Sequence, residues 1–255
     1  MRHLPFLITQ KLKWEGLPFH EDGGALPPTD RGRELFARYR LARWSDRWSE
    51  LTLDEVLGVL DILDRLPRGI FPKFAELNLK ALDVGSKNWR YLGALVAWLE
   101  ERFPKAELDI TGVELDAYRL GPNLRTWLAT GNYFAGKHSD AKVKANYLAG
   151  NICLHEVPAS LVFWLFPFVS EHPHQAWGLP PGLFDPRAAF KHVLTRCLSR
   201  EGVLILANHG EWEAETARKL IAEIPGTRLV YQVETEGSLH ASRYPVVVSV
   251  IGWVK

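Results

Sequence analysis

Two apolar runs that stop abruptly limit what this chain can fold into. Lys80-Ala-Leu-Asp-Val-Gly85 ends in a glycine, and Ile110-Thr-Gly-Val-Glu-Leu-Asp116 ends in carboxylates. A parallel strand that closes on glycine lets a ligand approach its backbone, while an acid ending the neighbouring strand accepts the hydroxyl hydrogens of a ribose. The pair points to a nucleoside-containing cofactor held at the carboxyl ends of a parallel sheet.

The rest of the patterning agrees with such a sheet. From Leu79 onward, short apolar runs alternate with helical periodicity, the sign of βαβ units. Strands are expected at Lys80 to Val84, Leu108 to Val113, Val143 to Leu148, Leu161 to Phe166 and Gly202 to Ala207. Leu92, Leu95, Val96, Leu99 and Phe103 mark one buried helix face. Further helices are expected around Leu124, Trp127 and Leu128, over Pro186 to Ser199, and up to Ile224, with a loop at His172 to Gly182. Leu229 to Val233 and Val246 to Val254 read as a closing hairpin, its last strand antiparallel. Upstream, Asp30 to Trp48 reads as a helix, and Thr52-Leu-Asp-Glu55 has capping-box spacing ahead of Val56, Leu57, Leu60 and Leu63, a helix that should end near Pro67. Residues 1 to about 28 are rich in Pro and Gly and read as an arm laid over something else. The chain therefore divides into an arm and helical cap over residues 1–72 and an α/β unit over 73–255.

Composition excludes some function classes. With 31 basic and 30 acidic side chains the net charge is +1, so no global field recruits nucleic acid or an anionic membrane. A local basic patch exists between Arg31 and Arg47, six arginines interleaved with aromatics, the one place where nucleic acid could be gripped; a solvated helix face explains it as well. No run reaches the ~20 apolar residues that span a bilayer. Cys153 and Cys197 sit in apolar contexts typical of free thiols, and with the opening run too short for a signal peptide's core they imply a cytoplasmic protein. Glu171-His172-Pro-His174 reads as a turn rather than a metal site, so no metal is expected.

Leu82-Asp-Val-Gly85, Gly112-Val-Glu114, Ala149-Gly-Asn151, Phe163-Trp-Leu-Phe166 and Arg200-Glu-Gly-Val-Leu-Ile-Leu-Ala207 come in the order of the motifs of class I S-adenosylmethionine-dependent methyltransferases, which the chain resembles over roughly residues 75–255. The resemblance implies a Rossmann-like, mostly parallel seven-stranded sheet of order 3-2-1-4-5-7-6, strand 7 antiparallel, flanked by helices. It implies S-adenosylmethionine as cofactor, with Asp83 orienting its methionine end, Gly85 permitting close backbone approach, Glu114 binding the ribose hydroxyls and Asn151 accepting from the adenine amino group. The chain departs from the family after Gly85. Ser86-Lys-Asn-Trp-Arg90 stands where further glycines are usual, which brings Ser86 and Lys87 to the cofactor and lets Lys87 pair with its carboxylate.

The acceptor side is less defined. Phe166-Pro-Phe168 replaces the Asn or Asp followed by Pro-Pro of amino-methylating members, so an aromatic pocket lined by Phe166, Phe168, His172 and Trp177 suits a flat or hydrophobic acceptor, or is core packing. His209, after the fifth strand, is a candidate proton carrier; alternatively Asn208 caps the next helix and Glu211 complements its dipole. The function implied is transfer of a methyl group to an acceptor that is a small molecule, a protein or RNA. A non-catalytic nucleoside-binding or partner-regulating module on the same fold is the rival, and a nicotinamide dehydrogenase is disfavoured because G-x-G-x-x-G is absent.

Overall fold

A computed structural model describes residues 3–21, 23–71, 78–121, 124–235, 238–240 and 244–254. Seven strands form one sheet of order β3-β2-β1-β4-β5-β7-β6: β1 Asn78–Val84, β2 Glu107–Glu114, β3 Val143–Ala149, β4 Ala159–Leu165, β5 Leu198–His209, β6 Thr227–Thr235 and β7 Val246–Trp253. β7 runs antiparallel to both β5 and β6, and the remaining pairings are parallel. The expected fold is the one observed.

Helices cover both faces because each central strand is apolar on both. Ala81 and Phe163 face the layer built from α4 (Glu50–Asp64) and α5 (Leu92–Arg102), while Leu82, Val84 and Val162 face α8 (Pro186–His192) and α9 (Gly210–Ala222). The N-terminal helices α1 (Leu4–Leu12), α2 (Asp30–Arg38) and α3 (Ala42–Ser45) precede α4, and Leu35, Leu41 and Trp48 join the same buried cluster as Leu92 and Leu95. Trp98 donates its indole N–H to the carbonyl of Leu63 at 3.0 Å, tying α5 to the end of α4. The expected division at residue 72 falls outside the described residues. The arm does lie over other elements: Gly16 bridges to Arg125, and Phe19 packs on Tyr133 and Phe134 of α6 (Trp127–His138).

Several boundaries differ from the sequence reading for local reasons. The helix expected over 30–48 breaks into α2 and α3, with Arg40 between them at φ 51°. α4 begins a turn before the expected capping box, because Ser49 Oγ accepts from the Thr52 amide at 3.3 Å, which leaves Glu55 inside the helix rather than at its cap. Leu124 sits outside α6, exposed and at φ 57°, because Thr126 caps the helix instead. The stretch expected as a loop at 172–182 contains α7 (Glu171–Ala176). The helix expected to reach Ser199 loosens after His192 into a π turn over Val193–Cys197, and Leu198 already belongs to β5. Asn208 lies within β5 rather than capping α9; His209, the last residue of the strand, takes the cap position, its amide donating to Glu213 at 3.0 Å.

Among the described residues no helix is long and apolar enough to cross a membrane, and no group of three or more His, Cys, Asp or Glu is placed to hold a metal ion. The basic patch is answered locally. Arg31 pairs with Glu34, Asp61 and Asp64, Arg38 with Glu34 and Asp64, Arg33 with Asp30, Arg43 with Glu100, and Arg47 with Asp46.

Candidate functional site

The carboxyl ends of β1 to β4 open into a cleft walled by apolar and aromatic side chains with a few polar groups, the usual lining of a small-molecule site. Gly85, Glu114 and Asn151 line it, each supplied by the end of a different strand or the turn that follows. Gly85 has φ +72°, and a Cβ added there would meet nothing nearer than Trp164 Nε1 at 4.0 Å. The space beside that backbone is therefore open to a ligand. Gly150 (φ +149°) fits differently, since the imidazole of His155 occupies the place its Cβ would take.

Glu114 is 6% exposed and its carboxylate is held from below: Oε2 accepts from the Lys87 amide at 2.8 Å and Oε1 from the Asp116 amide at 2.7 Å. Each oxygen keeps a second lone pair for a donor in the cleft. Burial pushes its carboxyl above the usual range, against those two amide bonds. Asn151 Oδ1 accepts from the Cys153 amide at 3.0 Å, which orients the side chain at the cleft wall.

Asp83 is not at that wall. It is fully buried, its Oδ2 accepting from Trp89 Nε1 at 2.9 Å and Tyr91 Oη at 2.8 Å, and burial raises its carboxyl to about 7. The Trp89 indole also abuts Gly112 on the neighbouring strand, where a Cβ would stand 2.8 Å from the ring. The non-glycine turn after Gly85 is thus a plug: Trp89 fills the space beneath it, and Ser86 is buried with it. Lys87 and Trp89 both adopt left-handed backbone conformations, at φ 52° and 56°. Strained φ values of this kind persist only where the surroundings over-determine them, and they gather at ligand sites.

Lys87 itself reaches the cleft, its Nζ 5.9 Å from the ring of Trp177. Trp177 and Phe168, expected on the acceptor side, line this same cleft. His172 does not: it is exposed on α7, whose helical turn directs His174 inward instead, where Nε2 lies 2.9 Å from the Pro180 carbonyl.

A second cavity lies on the α4 side and shares Lys87, Trp127, Leu165 and Phe166 with the cleft. Phe166 follows the end of β4 at φ 61°. Its ring lies near-parallel to His209 at 4.1 Å and to His240 at 4.5 Å. Burial lowers the pKa of both imidazoles, His240 to about 4, so both are neutral at pH 7. His209 is thus stacked on Phe166 and does not line either cavity. Glu55, Trp127 and His240 were not legible as site residues. Glu55 and His240 come from segments that precede and follow the motif-bearing part of the chain, and only packing joins them; Trp127 was read as helix interior.

No family model matches the chain, and no curated protein matches it in sequence. Solved structures do. A protein of Listeria monocytogenes assigned to the class I S-adenosylmethionine-dependent methyltransferases is 13% identical, with 91% of this chain and 71% of that chain covered at a TM-score of 0.52. One of Methanococcus maripaludis assigned as S-adenosyl-L-methionine-dependent is 10% identical, covering 91% and 98% at 0.50. The chain spans 61% of the length of a mitomycin 7-O-methyltransferase, 11% identical at a TM-score of 0.49. The fold is that of the class I S-adenosylmethionine-dependent methyltransferases.

Proposed function

We propose that this chain, starting from that fold, binds S-adenosylmethionine in the cleft above β1 to β4 and transfers its methyl group to an acceptor. The observation that carries the reading is the pairing of an unobstructed Gly85 with a buried, amide-held Glu114 at the ends of adjacent strands. A ribose diol can donate to both oxygens of such a carboxylate, and Gly85 leaves room for the rest of the ligand. Asn151 would face the base and Lys87 the carboxylate of the amino acid end. Asp83 would support the turn from beneath rather than touch the ligand, because Trp89 and Tyr91 hold it.

The cofactor, when bound, supplies a methyl group already activated on sulfonium. The protein's work is then alignment and exclusion of water, which large aromatic walls perform without an acid-base dyad. Phe166, Trp127 and Lys87 stand between the cleft and the second cavity, and that cavity, roofed by α4, is where the acceptor would enter.

Isothermal titration of the full chain with S-adenosylmethionine tests this. Micromolar binding is expected, weakened about ten- to a hundredfold in Glu114→Ala, which removes a charge-assisted hydrogen bond acceptor. Absence of binding at millimolar cofactor would sink the reading. A second reading has support from the turn: Lys87 and Trp89 occupy the region usually left to glycine, which suits a module that keeps the fold and binds a nucleoside without turnover. S-adenosylhomocysteine binding as tightly as S-adenosylmethionine, with no methyl transferred to any acceptor offered, favours that one.

A further inference from the structure

From the second cavity we infer that the acceptor is a flat aromatic molecule bearing a hydroxyl group, and that Glu55 on α4 receives that hydroxyl's proton; the inference rests on the methyl-transfer reading and names its acceptor class. Four of the cavity's nine described lining residues carry flat rings, Tyr91, Trp127, Phe166 and His240, and Leu165 and Val59 add apolar surface. Rings of this kind select a planar ligand. His240 is neutral and stacked, and Tyr91 is committed to Asp83. Glu55 is the cavity's one carboxylate among the described residues, sitting on the helix face that also presents Val59.

The charges around Glu55 decide between an ammonium and a hydroxyl. Lys87 lines the cavity together with Glu55, and the Arg90 charge, which also acts on that carboxylate, is answered by Glu21 at 3.9 Å. An incoming ammonium would meet the Lys87 ammonium already lining the same cavity. A hydroxyl donates to Glu55 and still offers a lone pair to Asn88 or Lys87, which line the same cavity. In the reaction the hydroxyl proton passes to the Glu55 carboxylate while the oxygen lone pair forms the new bond to the sulfonium methyl carbon. The carbon–sulfur electron pair stays on sulfur, giving neutral thioether, ether product and protonated Glu55. Burial already raises the affinity of Glu55 for a proton, which suits it to this transfer.

The segment that carries His240 supports a built site. Leu239 donates its amide to Asp61 of α4 at 3.0 Å, and Gly58 lets the backbone of His240 approach so closely that a Cβ would stand 3.2 Å from its Cα. The wall opposite Glu55 is thereby anchored to the helix that carries Glu55.

The test is calorimetric titration of the full chain with three probes of one ring system: 2-naphthol, 2-methoxynaphthalene and 2-naphthylmethylammonium. 2-Naphthol is expected to bind, with the methoxy and ammonium probes at least tenfold weaker, and Glu55→Gln to weaken 2-naphthol about tenfold without changing the unfolding midpoint. Lys87→Met is expected to improve the ammonium probe relative to 2-naphthol. The proposal is overturned if 2-naphthol does not bind at its solubility limit, if Glu55→Gln leaves its affinity unchanged, or if the ammonium probe binds tightest. Glu114→Ala separates this from the cofactor question, since it should weaken S-adenosylmethionine binding about ten- to a hundredfold and leave 2-naphthol binding intact. Failure of the cofactor titration with normal naphthol binding would reject methyl transfer and keep the hydroxyl-selective cavity.

Discussion

The indole nitrogen of Trp89 donates to Oδ2 of Asp83 at 2.9 Å, and the two side chains together close the space beneath the end of β1. A carboxylate that sequence motifs place at the cofactor is instead sealed under the turn. The turn's shape, and with it the position of Lys87 at the cleft, rests on that seal.

Trp89→Phe should therefore cost stability. The ring volume is mostly kept, but Asp83 Oδ2 retains Tyr91 as its partner and loses the indole donor. A loss of about 1–3 kcal/mol in urea unfolding is expected.

Asp83 also gives the protein a pH dependence of definite sign. Its carboxyl is raised to about 7 by burial, so between the ordinary carboxylate range and pH 7 the folded state holds a proton that the unfolded state has released. That contribution is complete below about pH 4 and is lost as pH rises through 7. Asp83→Asn should fall less in unfolding free energy between pH 5 and pH 8 than the natural chain, as measured by urea titration at both values.

His138 acts in the opposite direction. It is buried against Trp44 and Trp48, neither ring nitrogen has a hydrogen-bond partner among the described residues, and burial lowers its pKa to about 3. Its contribution is present above pH 6.5 and lost as pH falls toward 3. By pH 4 this amounts to up to about 3 kcal/mol. His138→Leu should lose correspondingly less between pH 7 and pH 4, read from thermal midpoints at the two values.

Gly85→Ala separates strain from ligand clearance. Among the described residues the added Cβ meets only Trp164 Nε1, at an unstrained 4.0 Å, so the stability cost is the left-handed backbone alone, about 1 kcal/mol. The methyl would project into the cleft, and S-adenosylmethionine affinity should fall by more than the stability change. Equal affinity in calorimetry would show that the ligand does not pass Gly85.

Asp61 anchors the wall of the second cavity. It is fully buried and accepts from Arg31 at 2.8 Å and from the Leu239 amide at 3.0 Å; burial works against its charge, but these bonds hold its carboxyl below the usual range. Asp61→Ala leaves Arg31 with Asp64 and Glu34 and should cost about 2–4 kcal/mol. Hydrogen exchange at the Leu239 amide should accelerate at least tenfold.

The sheet was legible in the chain because strand and helix periods, 2.0 and 3.6, are written residue by residue, and an apolar run ended by Gly85 or Glu114 carries its own stop. Those two residues stand at the cleft because local sequence alone places them at strand ends. What tertiary structure decided depends on groups far apart in sequence. Asp83 and Gly85 are two residues apart, a spacing that would put them on one face of a continuing strand, yet one is sealed and the other open, because the strand stops at Val84 and only packing shows that Trp89 and Tyr91 cover Asp83. Glu55, Phe166 and His240 meet for a similar reason. Their cavity exists because Ser49 starts α4 early and Asp61 draws in Leu239, contacts between segments that no periodicity records.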